Sequence, residues 1–238
     1  MDNAEEFMMT RPPTARRPLL GLTVLVVEDG RFACEAVRLL CLRSGARIRR
    51  ADSLEHARKH LTVYRPTVLM VDVGLPDGSG LDLINDLASA SPRIDVILGT
   101  SGDADAQSGV MAAGADGFIA KPIASLAAFQ TAILSHLPAD RQPPSPRAIN
   151  DEIVEPDLIA YRDDLSDVAS VIGGDDGAET LAYITQFLGG VARSVANDDL
   201  DQAVSALAEK HAIGTNTSAD LVVLGAMVQS RLATTGAL

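Results

Sequence analysis

The spacing of apolar residues divides this chain into two parts. Between residues 22 and 137, short strand-like runs, continuously apolar in the central strands, alternate with stretches whose apolar residues recur every three to four positions. The runs predict strands near 22–27, 46–50, 67–72, 94–99 and 116–120, and the stretches predict helices near 31–44, 53–63, 80–90, 104–113 and 123–137. Continuous Val, Ile and Leu, rather than strict alternation, is expected of strands covered by helices on both faces. Five such strands interleaved with five helices predict an α/β fold with a five-stranded, doubly wound parallel sheet. From Pro156 to Leu238 no strand pattern appears. Four helical patterns, about 156–172, 177–197, 199–213 and 219–234, predict an all-α four-helix bundle. Gly173-Gly174, Asn197-Asp198-Asp199 and Gly214 to Ser218 mark its corners.

The polar residues that end the strands carry the chemistry. Leu22–Val27 stops at Glu28-Asp29, Val68–Val71 at Asp72, the run around Ile97 at Thr100-Ser101, and Gly117–Ala120 at Lys121-Pro122. An open parallel sheet binds ligands outside the carboxyl ends of its strands. Three carboxylates, a hydroxyl and an ammonium are therefore expected in one place. Close-packed like charges cost free energy unless a cation offsets them, and hard oxygen donors suit Mg²⁺. A carboxylate beside Mg²⁺ and a lysine is a nucleophile towards phosphorus. Asp72 by itself could equally cap the loop before Pro76.

Composition and charge narrow the classes further. Apolar residues make up 47% of the 238 residues and aromatics 3%, so the core is aliphatic. No apolar stretch reaches the roughly 18 residues of a membrane span. Residues 1–19 are expected to be a disordered leader, and residues 138–155 a linker, because Pro138–Asn150 holds four prolines in thirteen residues. Cys34 and Cys41 lie seven apart in one predicted helix, too far to bridge, which fits a reduced, cytoplasmic setting. Residues 1–137 carry 14 Lys/Arg against 16 Asp/Glu, whereas residues 138–238 carry 6 against 16, a net −10. So acidic a C-terminal part argues against nucleic-acid binding and against a transcription factor with a basic recognition helix.

With Glu28-Asp29, Asp72, Thr100, Phe118, Lys121-Pro122 and the loop Leu75-Pro76-Asp77-Gly78-Ser79-Gly80-Leu81-Asp82-Leu83 in register, residues 20–137 resemble the receiver domain of a two-component response regulator, a flavodoxin-like fold. The resemblance implies that Asp72 takes a phosphoryl group from a histidine kinase or histidine phosphotransfer protein. It implies that Asp29, Asp72 and the Gly74 backbone carbonyl hold Mg²⁺, with Glu28 acting through a water. It makes Lys121 a phosphate ligand, Thr100 and Phe118 the switch pair, and Lys121-Pro122 a cis peptide. Self-phosphorylation and autodephosphorylation are implied, rather than metabolic catalysis. A phosphatase-like hydrolase is the competing enzyme class, but that class usually places Asp-x-Asp at the first strand, where this chain has Glu28-Asp29.

The second part is similar, more loosely, to histidine phosphotransfer domains. Val204, Leu207, His211 and Gly214 form a helical stripe, and Tyr183–Val191 resembles that family's Phe-Leu helix. Ile213-Gly214 stands where Lys-Gly is expected after the histidine. The resulting expectation for residues 156–238 is a phosphotransfer-like module that binds a protein target. The alternative is an active relay through His211 as a second phosphoacceptor. No membrane or nucleic-acid partner is expected, and homodimerisation is left open.

Overall fold

A computed structural model of the chain describes residues 12–143, 150, 152–172, 178–195 and 197–235. Strands β1 (Thr23–Val27), β2 (Arg47–Ala51), β3 (Val68–Asp72), β4 (Val96–Ser101) and β5 (Gly117–Ala120) form one all-parallel sheet in the order β2-β1-β3-β4-β5. Helices α1 (Arg31–Ser44), α2 (Leu54–Val63), α3 (Gly80–Ala88), α4 (Ala106–Ala112) and α5 (Leu126–Leu134) connect and cover the strands. The expected α/β architecture is therefore present, and it follows from the unbroken apolar runs. Every residue of β3 is buried, because helices lie on both faces of this central strand. Leu25, Val27, Leu69, Val71 and Ile97 face Leu83 and Ile84 of α3 in one core layer. The intervening residues Val24, Val26, Val68, Met70, Val96 and Leu98 are buried on the opposite face.

The contacts of the chain divide it into two compact units, Met1–Asp29 with Ala36–Glu155, and Gly30–Glu35 with Pro156–Leu238. Several details of the first unit lay outside the periodic pattern. Residues 1–11 of the expected leader lie outside the described residues. Leu19, within that expected leader, is fully buried and donates its N–H to the Ser44 carbonyl at 3.0 Å. A two-residue antiparallel ladder, Gly74–Leu75 with Gly78–Ser79, folds the loop after β3. Of the expected linker, residues 144–149 and 151 lie outside the described residues. The described remainder begins with a 3₁₀ turn at Ala139–Arg141. Its far end rejoins the fold. Leu126 N–H donates to the Glu152 carbonyl at 3.0 Å, and Val154 N–H donates to the Ala124 carbonyl at 2.9 Å.

The second unit contains four helices among its described residues: α6 (Leu158–Ile172), α7 (Ala178–Ser194), α8 (Asp198–Ala212) and α9 (Ser218–Thr235). Residues 173–177, which include the expected Gly173-Gly174 corner, lie outside the described residues. Leu165, Leu188, Ala192, Leu200 and Val228 are among the fully buried side chains of its core. Asn197 caps α8 by accepting from Leu200 N–H at 3.2 Å, and Asp198, Asp199 and Asp201 complement the N-terminal end of that helix. Asp164, 1% exposed, is the charged residue of this core. Its carboxylate accepts from the backbone N–H groups of Arg31 and Phe32 at 2.8 and 2.9 Å. No helix among the described residues is long and apolar enough to cross a membrane.

Candidate functional site

Parallel strand register places the site residues side by side. Asp72 is the last residue of β3 and pairs directly with Thr100 on β4. Val73 N–H donates to the Thr100 carbonyl at 3.0 Å, which carries the ladder one step further. Glu28 follows β1, and its N–H donates to the Ala51 carbonyl at 2.9 Å. Lys121 follows β5, held by its N–H to the Ser101 carbonyl at 2.8 Å. These ladder bonds extend the strands by one residue and fix where each side chain begins. Glu28, Asp29 and Asp72 each offer a carboxylate oxygen, all within 4.8 Å of one another.

The electrostatics of this group are unbalanced. Glu28 is 6% and Asp72 8% exposed, and the Lys121 side chain is 5% exposed. The Lys121 ammonium lies 2.6 Å from a Glu28 oxygen and 3.2 Å from an Asp72 oxygen. Burial works against the lysine charge, yet the carboxylates of Glu28 and Asp72 outweigh it and hold the ammonium above its usual value. Burial pushes the Glu28 carboxyl up to about 8 against the pull of Lys121, and the charges of Asp72 and Asp29 add to the rise. Three carboxylates meet one ammonium, which leaves two negative charges if all are ionised. A divalent cation with a preference for oxygen donors fits that deficit, and Mg²⁺ binds through one or two carboxylates with further oxygens completing its shell. The donor set therefore suits Mg²⁺.

Loop geometry supports the acids from behind. A Cβ at residue 80 would lie 2.0 Å from the Asp72 carbonyl oxygen, so only glycine lets α3 begin this close to the end of β3. Gly80 N–H donates to the Val73 carbonyl at 2.8 Å, and Ser79 caps α3 by accepting from Leu81 N–H. Gly74 pairs with Ser79 in the small ladder. Asp77 reaches across to α2, where its two oxygens accept from Leu54 and Glu55 N–H at 2.8 and 2.9 Å. Reading the residues in order missed Asp77 and Gly80 as supports. The Asp77-Gly78-Ser79 turn signal before α3 was visible, but the partner of Asp77 lies more than twenty residues upstream.

The remaining expected residues fall in different places. Phe118 lies on β5, half-buried, packed against the core layer of α2, α3 and α4 and paired with Gly99. The Lys121-Pro122 peptide is cis. His211 stands apart from the strand-end group in sequence, in the last turn of α8, and is half-buried. Its neighbour Lys210 is paired with Asp220 at 2.7 Å. Cys34 and Cys41 are buried and not joined in a disulfide, and burial pushes Cys41 up to about 12.

Comparison with known proteins gives a consistent answer for one part of the chain. Residues 24–133 match the family model described as response regulator receiver domain. The KDP operon transcriptional regulatory protein KdpE of Escherichia coli is 29% identical over 99 residues, which cover 42% of this chain and 44% of that protein. The probable transcriptional regulatory protein TcrX of Mycobacterium tuberculosis is 38% identical over 103 residues, with the same two coverages. This chain thus spans less than half the length of these curated relatives. A putative response regulator from Chloroflexus aurantiacus has a solved structure that is 29% identical, with a TM-score of 0.44, over 48% of this chain and 98% of that one.

Proposed function

Because residues 24–133 are the receiver domain of a two-component response regulator, we propose that Asp72 is the residue on which this chain accepts a phosphoryl group. The donor is a phosphohistidine on a histidine kinase or phosphotransfer protein. An Asp72 oxygen forms a bond to phosphorus as the phosphorus–nitrogen bond of the donor breaks, and the imidazole leaves with the electron pair. The observation that carries this reading is the buried Lys121 ammonium bonded to both Glu28 and Asp72 within a three-carboxylate group.

Each side chain has a role that its position supports. Asp29, Asp72 and the Gly74 backbone carbonyl would hold Mg²⁺, with Glu28 acting through a water. When bound, Mg²⁺ supplies positive charge for the oxygens of the transferring group. Lys121 already touches Asp72, so its ammonium is placed to meet a phosphoryl oxygen. Thr100, next to Asp72 in the ladder, offers a hydroxyl to the same group. Phe118, one strand further, is the side chain whose packing responds when Thr100 moves. The outcome is a shift between two packings of one fold.

Output through protein contact is the reading favoured for residues 156–238. The two relatives are named as transcriptional regulators, but each match covers 42% of this chain. The net −10 of residues 138–238 disfavours a phosphate backbone as partner. A relay through His211 is the second reading, and the partial exposure of that imidazole on α8 is what allows it.

The test is intact-mass measurement of the full chain after incubation with acetyl phosphate. With Mg²⁺, one phosphoryl adduct is expected, lost on hydroxylamine treatment. Removing the metal with EDTA should reduce it by about 100-fold. An adduct unaffected by EDTA would refute the metal-assisted reading.

A further inference from the structure

The Lys121 ammonium is bonded to Asp72, and the loop that carries it, Lys121–Ser125, is pinned by a piece of chain from far downstream. Glu152–Val154 lies antiparallel to this loop, with Ile153 opposite Ser125. The Glu152 carbonyl accepts from Leu126 N–H, one of the donors that the start of α5 leaves without a partner in its own helix. The Ala124 carbonyl accepts from Val154 N–H. Val154 is 5% exposed, whereas Ile153 points outward and is exposed. The Glu152 carboxylate also pairs with Arg43 in the last turn of α1 at 3.0 Å. Asn150 closes the turn into the segment by accepting from Glu152 N–H.

Short stretches of chain lie on either side of these two hydrogen bonds. Lys121 is three residues before Ala124 and five before Leu126. Glu155 and Pro156 follow Val154 directly, and α6 begins at Leu158. A displacement of the Lys121 backbone towards a group on Asp72 moves the loop and the first residue of α5, which supply the two backbone partners of the segment. Three anchors then compete with that movement: two backbone hydrogen bonds and a buried valine.

We infer that Glu152–Val154 is a strap released when Asp72 is phosphorylated, so that the chain leading into α6 is held in the unmodified protein and freed in the modified one. This rests on the reading of Asp72 as phosphoacceptor. Lys121 turns from Glu28 to the phosphoryl oxygens, Ser125 and Leu126 shift with it, and the Val154 and Leu126 amides lose their partners.

Amide hydrogen exchange of the full chain tests this, with Asp72 occupancy measured by mass in the same sample. With acetyl phosphate and Mg²⁺, the Val154 and Leu126 amides should exchange at least about tenfold faster than without the phosphodonor. In D72N the two conditions should give equal rates. Val154→Pro removes the donor, and its Leu126 amide should already exchange fast before any phosphodonor is added. Should that variant not fold, Glu152→Ala, which loses only the Arg43 pair, should show a smaller increase in the same direction. Asp72 labelled with unchanged exchange at both amides overturns the strap and leaves the phosphoacceptor standing. No label on Asp72 brings down both.

Discussion

Each of the two units buries carboxylates, and they do so in opposite ways. In the sheet unit, Glu28, Asp29 and Asp72 gather at the ends of two strands, and the Lys121 ammonium bonds Glu28 and Asp72. In the helical unit, the Asp164 carboxylate is met by two backbone N–H groups at the start of a helix. Burial raises Glu28 to about 8 and Asp164 to about 6. Burial is the largest cause in both, and the remaining causes separate them. The backbone N–H groups of Phe32 and Arg31 pull Asp164 down, whereas the charges of Asp72 and Asp29 push Glu28 further up. A buried acid satisfied by the backbone is a structural device. Acids that outnumber their cation form a site for one more.

The largest expected effect lies in the sheet unit. Lys121→Met removes, from a side chain 5% exposed, the ammonium that bonds Glu28 and Asp72. Labelling by acetyl phosphate should fall by about 100-fold or more. The metal-free fold should lose about 3–5 kcal/mol by urea denaturation. Added Mg²⁺ should restore part of that stability, which would sharpen the contrast, because no metal should rescue a defect in the helical unit. Equal stability of wild type and variant would break the comparison.

Asp164→Ala comes next. It removes the acceptor of the buried Phe32 N–H, at about 1–3 kcal/mol, and that of the part-buried Arg31 N–H, at less. A loss of about 2–4 kcal/mol in the unfolding of the helical unit is expected, with Mg²⁺-dependent labelling of Asp72 retained. Loss of labelling would show that the two buried acids are not independent devices.

The pH dependence of that unit carries a definite sign. Asp164 has a folded value of about 6 against an ordinary 3.8, so the folded state holds the proton more tightly. Its contribution to stability is complete below the unfolded value and lost as pH rises through about 6. The full change amounts to about 3 kcal/mol, most of it between pH 4 and pH 7. Urea midpoints across that range should follow it, and Asp164→Asn should flatten the curve. A wild-type helical unit with no such slope would remove Asp164 as a buried titrating group.

The smallest expected effect concerns the metal. Glu28 must be ionised to contribute its charge to the cation, so the apparent Mg²⁺ affinity should rise with pH up to about 8. The increase should be at most about tenfold per pH unit, measured by calorimetry. Glu28→Gln should weaken binding and remove the slope. An affinity independent of pH would mean that Glu28 has no part in the site.

These two acids were not equally legible in the sequence. Glu28-Asp29 and Asp72 end unbroken apolar runs, so their place at the strand tips followed from the pattern, and Lys121 and Thr100 followed from the same rule. Asp164 sits in Arg162-Asp163-Asp164, which reads as a solvated helix face. Its burial depends on Arg31 and Phe32, more than 130 residues away, and no local period encodes that. The parallel sheet was legible because its central strands are apolar on both sides. The strap was not, since Glu152–Val154 follows a proline-rich stretch and has only one inward side chain. Asp77 lay in a recognisable turn, yet its partners on α2 depend on how the loop folds back. Phe118 and His211 were named by resemblance, and their surroundings explain only the packing of Phe118.

Peptide mapping of the acetyl phosphate adduct, after borohydride reduction of the acyl phosphate, tests the central claim most directly. The account predicts reduction product at Asp72 in the wild-type chain and none in D72N. Modification absent from Asp72, or carried by another acid while Asp72 stays intact, would contradict it.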